Sequence, residues 1–194
     1  MNKTRVMLLG DSWRQYYENA VRETLGENFE VWSPGAENGR FAAYTLNSFR
    51  FWREAFPSPD VIHYNTGLWD CGPIYAEDGP FTPLDEYLAL HEKIVREMKK
   101  TGAAIIFATT GPVRDACVNR TGVGAKTDNA MIIRYNAAVT DLMKRLGVTV
   151  NDVHPLLYED RETLISDDLV HPTPAGVEIL AKAVAASIRK AVHR

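Results

Sequence analysis

Five short apolar runs recur along the chain, each followed by a stretch of helical character, and this alternation limits the available folds more than any other feature. The first run, Val6-Met7-Leu8-Leu9, has no polar break, and the run at 103–108 is apolar throughout. Runs at 29–32, 61–65 and 148–152 complete the set. Short continuous apolar runs read as strands buried on both faces. Strands that alternate with helices build a parallel sheet covered on both sides. The expected architecture is therefore α/β: a three-layer α/β/α sandwich around a five-stranded parallel sheet, in flavodoxin-like strand order. A length of 194 residues, with no internal repeat, low-complexity tract or linker, predicts a single domain over 1–194.

Local signals place the helices. The first spans 13–25 and stops at Gly26, a residue suited to the left-handed turn that closes a helix. A second covers about 42–55. Thr82-Pro83-Leu84-Asp85 predicts an N-cap threonine with proline at the first helical position, opening a helix that runs to about Lys100. Asp128 is placed to cap a helix over 129–146, closed by Gly147, and Thr173-Pro174 opens the last one. The segment 68–81 carries several glycine and proline breaks and reads as a long loop. A polar loop with Arg114 and Arg120 covers 113–126, and an irregular segment precedes the last helix.

The balance of charges narrows the partners. A net charge of −3 argues against a nucleic-acid footprint and against an anionic membrane surface. Two cysteines, Cys71 and Cys117, make no disulfide framework, and no Cys/His spacing resembles a zinc site, so no metal or other cofactor is expected. Cys71 adjoins Asp70 and reads as a bystander thiol. The opening Met1-Asn2-Lys3-Thr4-Arg5 runs straight into the first strand and leaves no room for a signal peptide, and no apolar run is long enough to span a bilayer. The expected location is cytoplasmic. Oligomeric state is not written in the sequence.

Parallel sheets gather functional groups at the carboxyl ends of their strands, and the chemically capable residues fall there. Gly10-Asp11-Ser12 follows the first strand, so Ser12 presents its hydroxyl at a sheet edge beside the free N–H groups of a helix start. A serine nucleophile needs that exposure and those donors. The competing reading is a plain turn with an N-cap, which all three residues favour. Asp168-Leu169-Val170-His171 follows the fifth strand. An aspartate three residues before a histidine can share one turn, fix the imidazole tautomer and stabilise the imidazolium formed when Nε2 takes the serine proton. Pro172 and Pro174 stiffen the placement. His63 lies inside a strand, His91 on a helix and His193 at the chain end. His154, with Asp152, is an alternative base, and Asp167 an alternative orienter. For the oxyanion, the Ser12 and Gly39 N–H groups are backbone candidates and Asn65 a side-chain candidate. Trp69 and Arg114 are expected to contact substrate.

These blocks, in this order, resemble the SGNH (GDSL-type) hydrolase family: Gly10-Asp11-Ser12, a glycine loop after the second strand, a block after the third, and Asp168-Leu169-Val170-His171-Pro172 before the last helix. The resemblance implies a three-layer fold and a metal-independent esterase, with Ser12 as nucleophile, His171 as base, Asp168 as its orienter and Gly39 in the oxyanion hole. The third block departs from the family. Where it usually reads Gly-x-Asn-Asp, this chain has Gly67-Leu68-Trp69-Asp70, so Trp69 stands at the oxyanion asparagine. Either Asn65 or the Trp69 indole N–H then completes the hole. The loop Glu37-Asn38-Gly39-Arg40-Phe41 and Trp69 suit a sugar face, which favours the carbohydrate-acetylesterase branch. The expected partner is thus a small-molecule acyl ester. The alternatives are a thioesterase or lysophospholipase acting on longer acyl chains, and a carbohydrate-binding relic without activity.

Overall fold

The computed structural model describes residues 3–73, 79–120 and 126–192. Five strands, β1 (Thr4–Leu9), β2 (Phe29–Trp32), β3 (Val61–Asn65), β4 (Ala104–Ala108) and β5 (Thr149–Asn151), form one sheet in the order β2-β1-β3-β4-β5. Every pairing is parallel; Leu8 sits beside His63, which sits beside Ile106. Val6 to Leu9 and Val61 to Asn65 are buried at every position, as an all-parallel sheet with both faces covered requires.

The long helices are α1 (Ser12–Leu25), α2 (Ala42–Ala55), α4 (Leu84–Lys99), α5 (Asn129–Arg145) and α8 (Pro174–Val192). Helices α1 and α8 pack together on one face of the sheet, while α2, α4 and α5 pack in series on the other. The core runs through both interfaces: Val21, Val184 and Ile188 come from α1 and α8 on one side, and Ile94, Met98 and Met143 from α4 and α5 on the other. The strand order reverses direction at β1, so the carboxyl ends of β1 and β3 flank the crevice where ligands bind in such sheets.

The caps show how local chemistry is used, and where it is overridden. Asp11 caps α1 by accepting from Trp13 N at 3.0 Å, and Asp128 caps α5 by accepting from Met131 N at 2.7 Å. Gly26 closes α1 at φ +78°, with its N–H on Arg22 O. The expected threonine cap of α4 is absent. Thr82 Oγ1 donates instead to the buried Asp70 carboxylate at 2.8 Å, and the helix begins at Leu84 behind Pro83. The expected loop over 68–81 opens with a helical turn, α3 (Leu68–Cys71), that carries Asp70 inward. Residues 153–172 hold two further turns of helix, α6 (Pro155–Tyr158) and α7 (Arg161–Leu164), and Asp115–Asn119 forms a 3-10 turn.

Asp70 joins three segments. It accepts from Ala42 N at the start of α2 (3.1 Å to each oxygen), from Thr66 Oγ1 after β3 (3.2 Å) and from Thr82 before α4. Burial outweighs these bonds and raises its carboxyl from 3.8 to about 6. A carboxyl that binds its proton more tightly when folded favours folding in its protonated form. That contribution is complete below pH 4 and is lost as the pH climbs through 6, a change of about 3 kcal/mol. Asp70→Asn does not titrate. Urea denaturation is therefore expected to find wild type weaker relative to this variant at pH 7 than at pH 4, by up to about 3 kcal/mol.

Candidate active site

Ser12 is the first residue of α1, set where β1 ends and the chain turns at Gly10. The turn is tight: a side chain at Gly10 would collide with the Asn65 amide. Helix geometry leaves the Ser12 N–H without an intrahelical acceptor and turns it toward the same edge as the hydroxyl. Some 159 residues later in sequence, His171 Nε2 lies 2.8 Å from Ser12 Oγ. His171 Nδ1 lies 2.5 Å from Asp168 Oδ2. With Nδ1 protonated toward the carboxylate, Nε2 is the lone-pair nitrogen facing the serine.

The Asp168–His171 turn is built to hold this series. Asp168 Oδ1 accepts from Ser166 Oγ (2.8 Å), Val170 N (2.9 Å) and His171 N (2.8 Å). Partial burial works against the ionised form, but the His171 and Val170 amides, the His171 ring and the Ser166 hydroxyl together push the Asp168 carboxyl below its ordinary range. Asp168 is thus a carboxylate at any physiological pH. Leu169 adopts φ +73°, an uncommon backbone state for a branched aliphatic residue, and marks the turn as strained. Tyr16, one turn along α1 from Ser12, lies flat on the His171 ring at 4.5 Å with planes 9° apart, while 49% of its surface stays exposed. Tyr16 belongs to no motif in the sequence; its i+4 spacing from Ser12 is the one local signal of its place.

The other histidines stand apart. Burial drives both His63 and His91 down to about 3, so both are neutral. His63 Nε2 is paired with the Asn151 amide and His91 Nδ1 with the Tyr64 hydroxyl. His154 stacks on Tyr158, and its companion Asp152 accepts from Thr109. Asp167, the alternative orienter, faces Arg114. His193 lies outside the described residues. Cys71 is a buried thiol, pushed by burial up to about 12, beside Leu68 O and Thr127 Oγ1.

Several expected contacts are replaced by others. Arg114 does not line the serine's cleft. Its guanidinium donates to Glu162 O, Ser166 O and Asp167, and its N–H to Leu169 O, so it braces the turn that carries Asp168 and His171. Asn65 is spent at both ends of its amide: Nδ2 donates to Asp11 Oδ1 at 2.8 Å, and Oδ1 accepts from Tyr17 OH at 3.1 Å. The Gly39 N–H donates to Gly10 O at 2.9 Å, an approach so close that a side chain at position 39 would press on the same carbonyl. Of the expected oxyanion donors, the Ser12 N–H and the Trp69 indole N–H keep no acceptor among the described residues.

A cleft of about 180 Å³ opens at Ser12 and His171, walled by Asn38, Leu68, Trp69, Arg120 and Val170. Trp69, the residue expected to contact substrate, stands in the cleft wall. Asn38 belongs to the loop read as suiting a sugar face and was given no separate role. Among the described residues, no group of three or more His, Cys, Asp or Glu side chains is arranged to hold a metal ion, and no helix is long and apolar enough to cross a membrane.

No protein-family profile and no curated protein matches the chain by sequence. Solved structures do match it. An acetyl xylan esterase superposes with a TM-score of 0.78 at 15% identity, covering 95% of this chain and 99% of that one. A catalytic mutant of an acetylxylan esterase from Geobacillus stearothermophilus gives 0.75 at 19% identity, covering 97% and 95%. A GDSL-like lipase from Bacteroides thetaiotaomicron gives 0.74 at 17% identity, covering 97% and 89%. At these identities the likeness is one of fold, extending over nearly the full length of each chain.

Proposed function

We propose that this chain is a serine esterase of the SGNH hydrolase type, which removes short acyl groups, acetyl foremost, from a carbohydrate or similar polar alcohol. The observation that carries the reading is the hydrogen-bonded series from Ser12 Oγ through His171 to Asp168. Ser12 Oγ attacks the ester carbonyl carbon and passes its proton to His171 Nε2, while Asp168 stabilises the imidazolium. The tetrahedral oxyanion collapses, the C–O bond to the alcohol breaks, and the alcohol leaves with the proton from Nε2. Water, deprotonated by Nε2, then attacks the acyl-enzyme, and the acid leaves as Ser12 recovers its proton. No step requires a metal, so activity is expected to survive EDTA.

Two observations support a short acyl group on a sugar. The cleft, at about 180 Å³, is small beside the several hundred Å³ of sites that enclose large ligands. Acetyl xylan esterases share the fold. The test is a series of p-nitrophenyl esters from acetate to decanoate, run beside acetylated xylo-oligosaccharides. The expected result is kcat/KM highest for acetate and release of acetate from the oligosaccharide. A maximum at long chains would favour the lipase or thioesterase reading instead.

The bracing role of Arg114 gives a second expectation. Arg114→Met keeps the length of the stem and removes every guanidinium bond to the 162–167 segment. With the Asp168–His171 turn loosened, kcat is expected to fall by about 10- to 100-fold, since small misplacements of a catalytic group carry penalties of that order. A substrate-binding arginine would show its loss in KM instead, and steady-state kinetics on p-nitrophenyl acetate separates the two.

A further inference from the structure

Of the donors the sequence offered for the oxyanion hole, the Ser12 N–H and the Trp69 indole N–H carry no hydrogen bond among the described residues. Asn65 and the Gly39 N–H are both engaged elsewhere, and Trp69 occupies the position where an asparagine amide is expected. We infer that Asn38 supplies the missing side-chain donor, its Nδ2 acting with the Ser12 N–H on the oxyanion. The inference rests on the esterase reading and names a residue within it.

Asn38 lines the same cleft as Ser12 and His171. Its Oδ1 accepts from Arg40 N at 2.8 Å, which fixes the amide's orientation and leaves Nδ2 without an acceptor among the described residues. Arg40 sits at φ +49°, so the loop is bent sharply at this bond. The loop is also held from every side. Arg14, fully buried, donates to Gly35 O and Glu37 O, and Gln15 donates to Ala36 O. Glu37 accepts from Tyr44 OH and Trp52 Nε1, each at 3.0 Å. Thr45 donates to Gly39 O and Thr66 to Arg40 O. Arg14 and Gln15 belong to the first turn of α1, the turn that begins with Ser12. Donor and nucleophile are therefore fixed to one element. A donor stabilises a transition state most when it is already in place and needs no reorganisation, and this loop provides that condition.

The test uses three variants of the full chain, assayed on p-nitrophenyl acetate. Asn38→Ala removes both ends of the amide. Asn38→Asp keeps the oxygen that accepts from Arg40 N and so keeps the loop's bond, but has no donor. Both are expected to lose about 100- to 1,000-fold in kcat with KM changed far less, the usual consequence of deleting one oxyanion donor. A structural role alone predicts that Asn38→Asp is rescued. Wild-type kcat in Asn38→Asp, or a comparable kcat loss in Trp69→Phe with Asn38→Ala unaffected, would overturn the inference; the second result would assign the donor to the indole. Wild type that neither turns over p-nitrophenyl acetate nor reacts with a fluorophosphonate would instead remove the esterase reading itself, so the two failures are distinguishable.

Discussion

Ser12→Ala is expected to lower kcat for p-nitrophenyl acetate by about 10⁴-fold or more while leaving the fold intact. The size follows from the chemistry. Without Oγ there is no covalent intermediate, and His171 and Asp168 have nothing to activate but water. Any residue of activity comes from the oxyanion donors and binding alone. The fold is expected to persist because, among the described residues, the Ser12 side chain bonds only to His171 Nε2, at the sheet edge and outside the core. Circular dichroism and thermal unfolding check that half of the expectation, and steady-state kinetics the other. Combining Ser12→Ala with His171→Ala should cost little more than Ser12→Ala alone, since the two act as a unit.

Asp70→Ala carries the largest expected loss of stability. Its carboxylate satisfies the first N–H of α2 and two buried threonine hydroxyls from separate parts of the chain. Removing it leaves those donors in an apolar surrounding, at about 1–3 kcal/mol for each one not re-satisfied. Thr66 also donates to Arg40 O, so its hydroxyl retains a partner. The net loss is expected to be about 3 kcal/mol at pH 7, which for a chain of this length lowers Tm by roughly 6–12 °C. Because the protonated carboxyl is the more stabilising form, the loss should be larger at pH 4 than at pH 7. Differential scanning calorimetry at the two pH values measures both. An equal loss at both would show that Asp70 titrates normally in the folded protein.

The features legible in the sequence were those set by a few neighbouring residues. Apolar runs marked the strands, and their alternation with helices implied the parallel sheet; its flavodoxin-like order was an expectation that the structure bears out. The turn from β1 into α1 exposed Ser12, and Asp168 could be paired with His171 because three residues of separation place both on one turn. What was hidden depended on long-range packing. Thr82 had the spacing of a helix cap, but a buried carboxylate twelve residues upstream competed for its hydroxyl and won. Asn65 stood at a strand end near the expected site, yet Asp11 and Tyr17 take both ends of its amide. Arg114 had the charge of a substrate contact, but acceptors about fifty residues later, in the segment leading to His171, hold it. Asn38 was read only as part of the 37–41 loop that suits a sugar face, with no role of its own. Its place in the cleft wall depends on the loop's ties to α1 and α2, which no local pattern encodes.

The most direct measurement is mass spectrometry of the intact chain after treatment with a fluorophosphonate, followed by peptide mapping. The expected result is one adduct per chain, on Ser12, lost in Ser12→Ala and strongly slowed in His171→Ala. No adduct, or one on another residue with Ser12 unmodified, would contradict it.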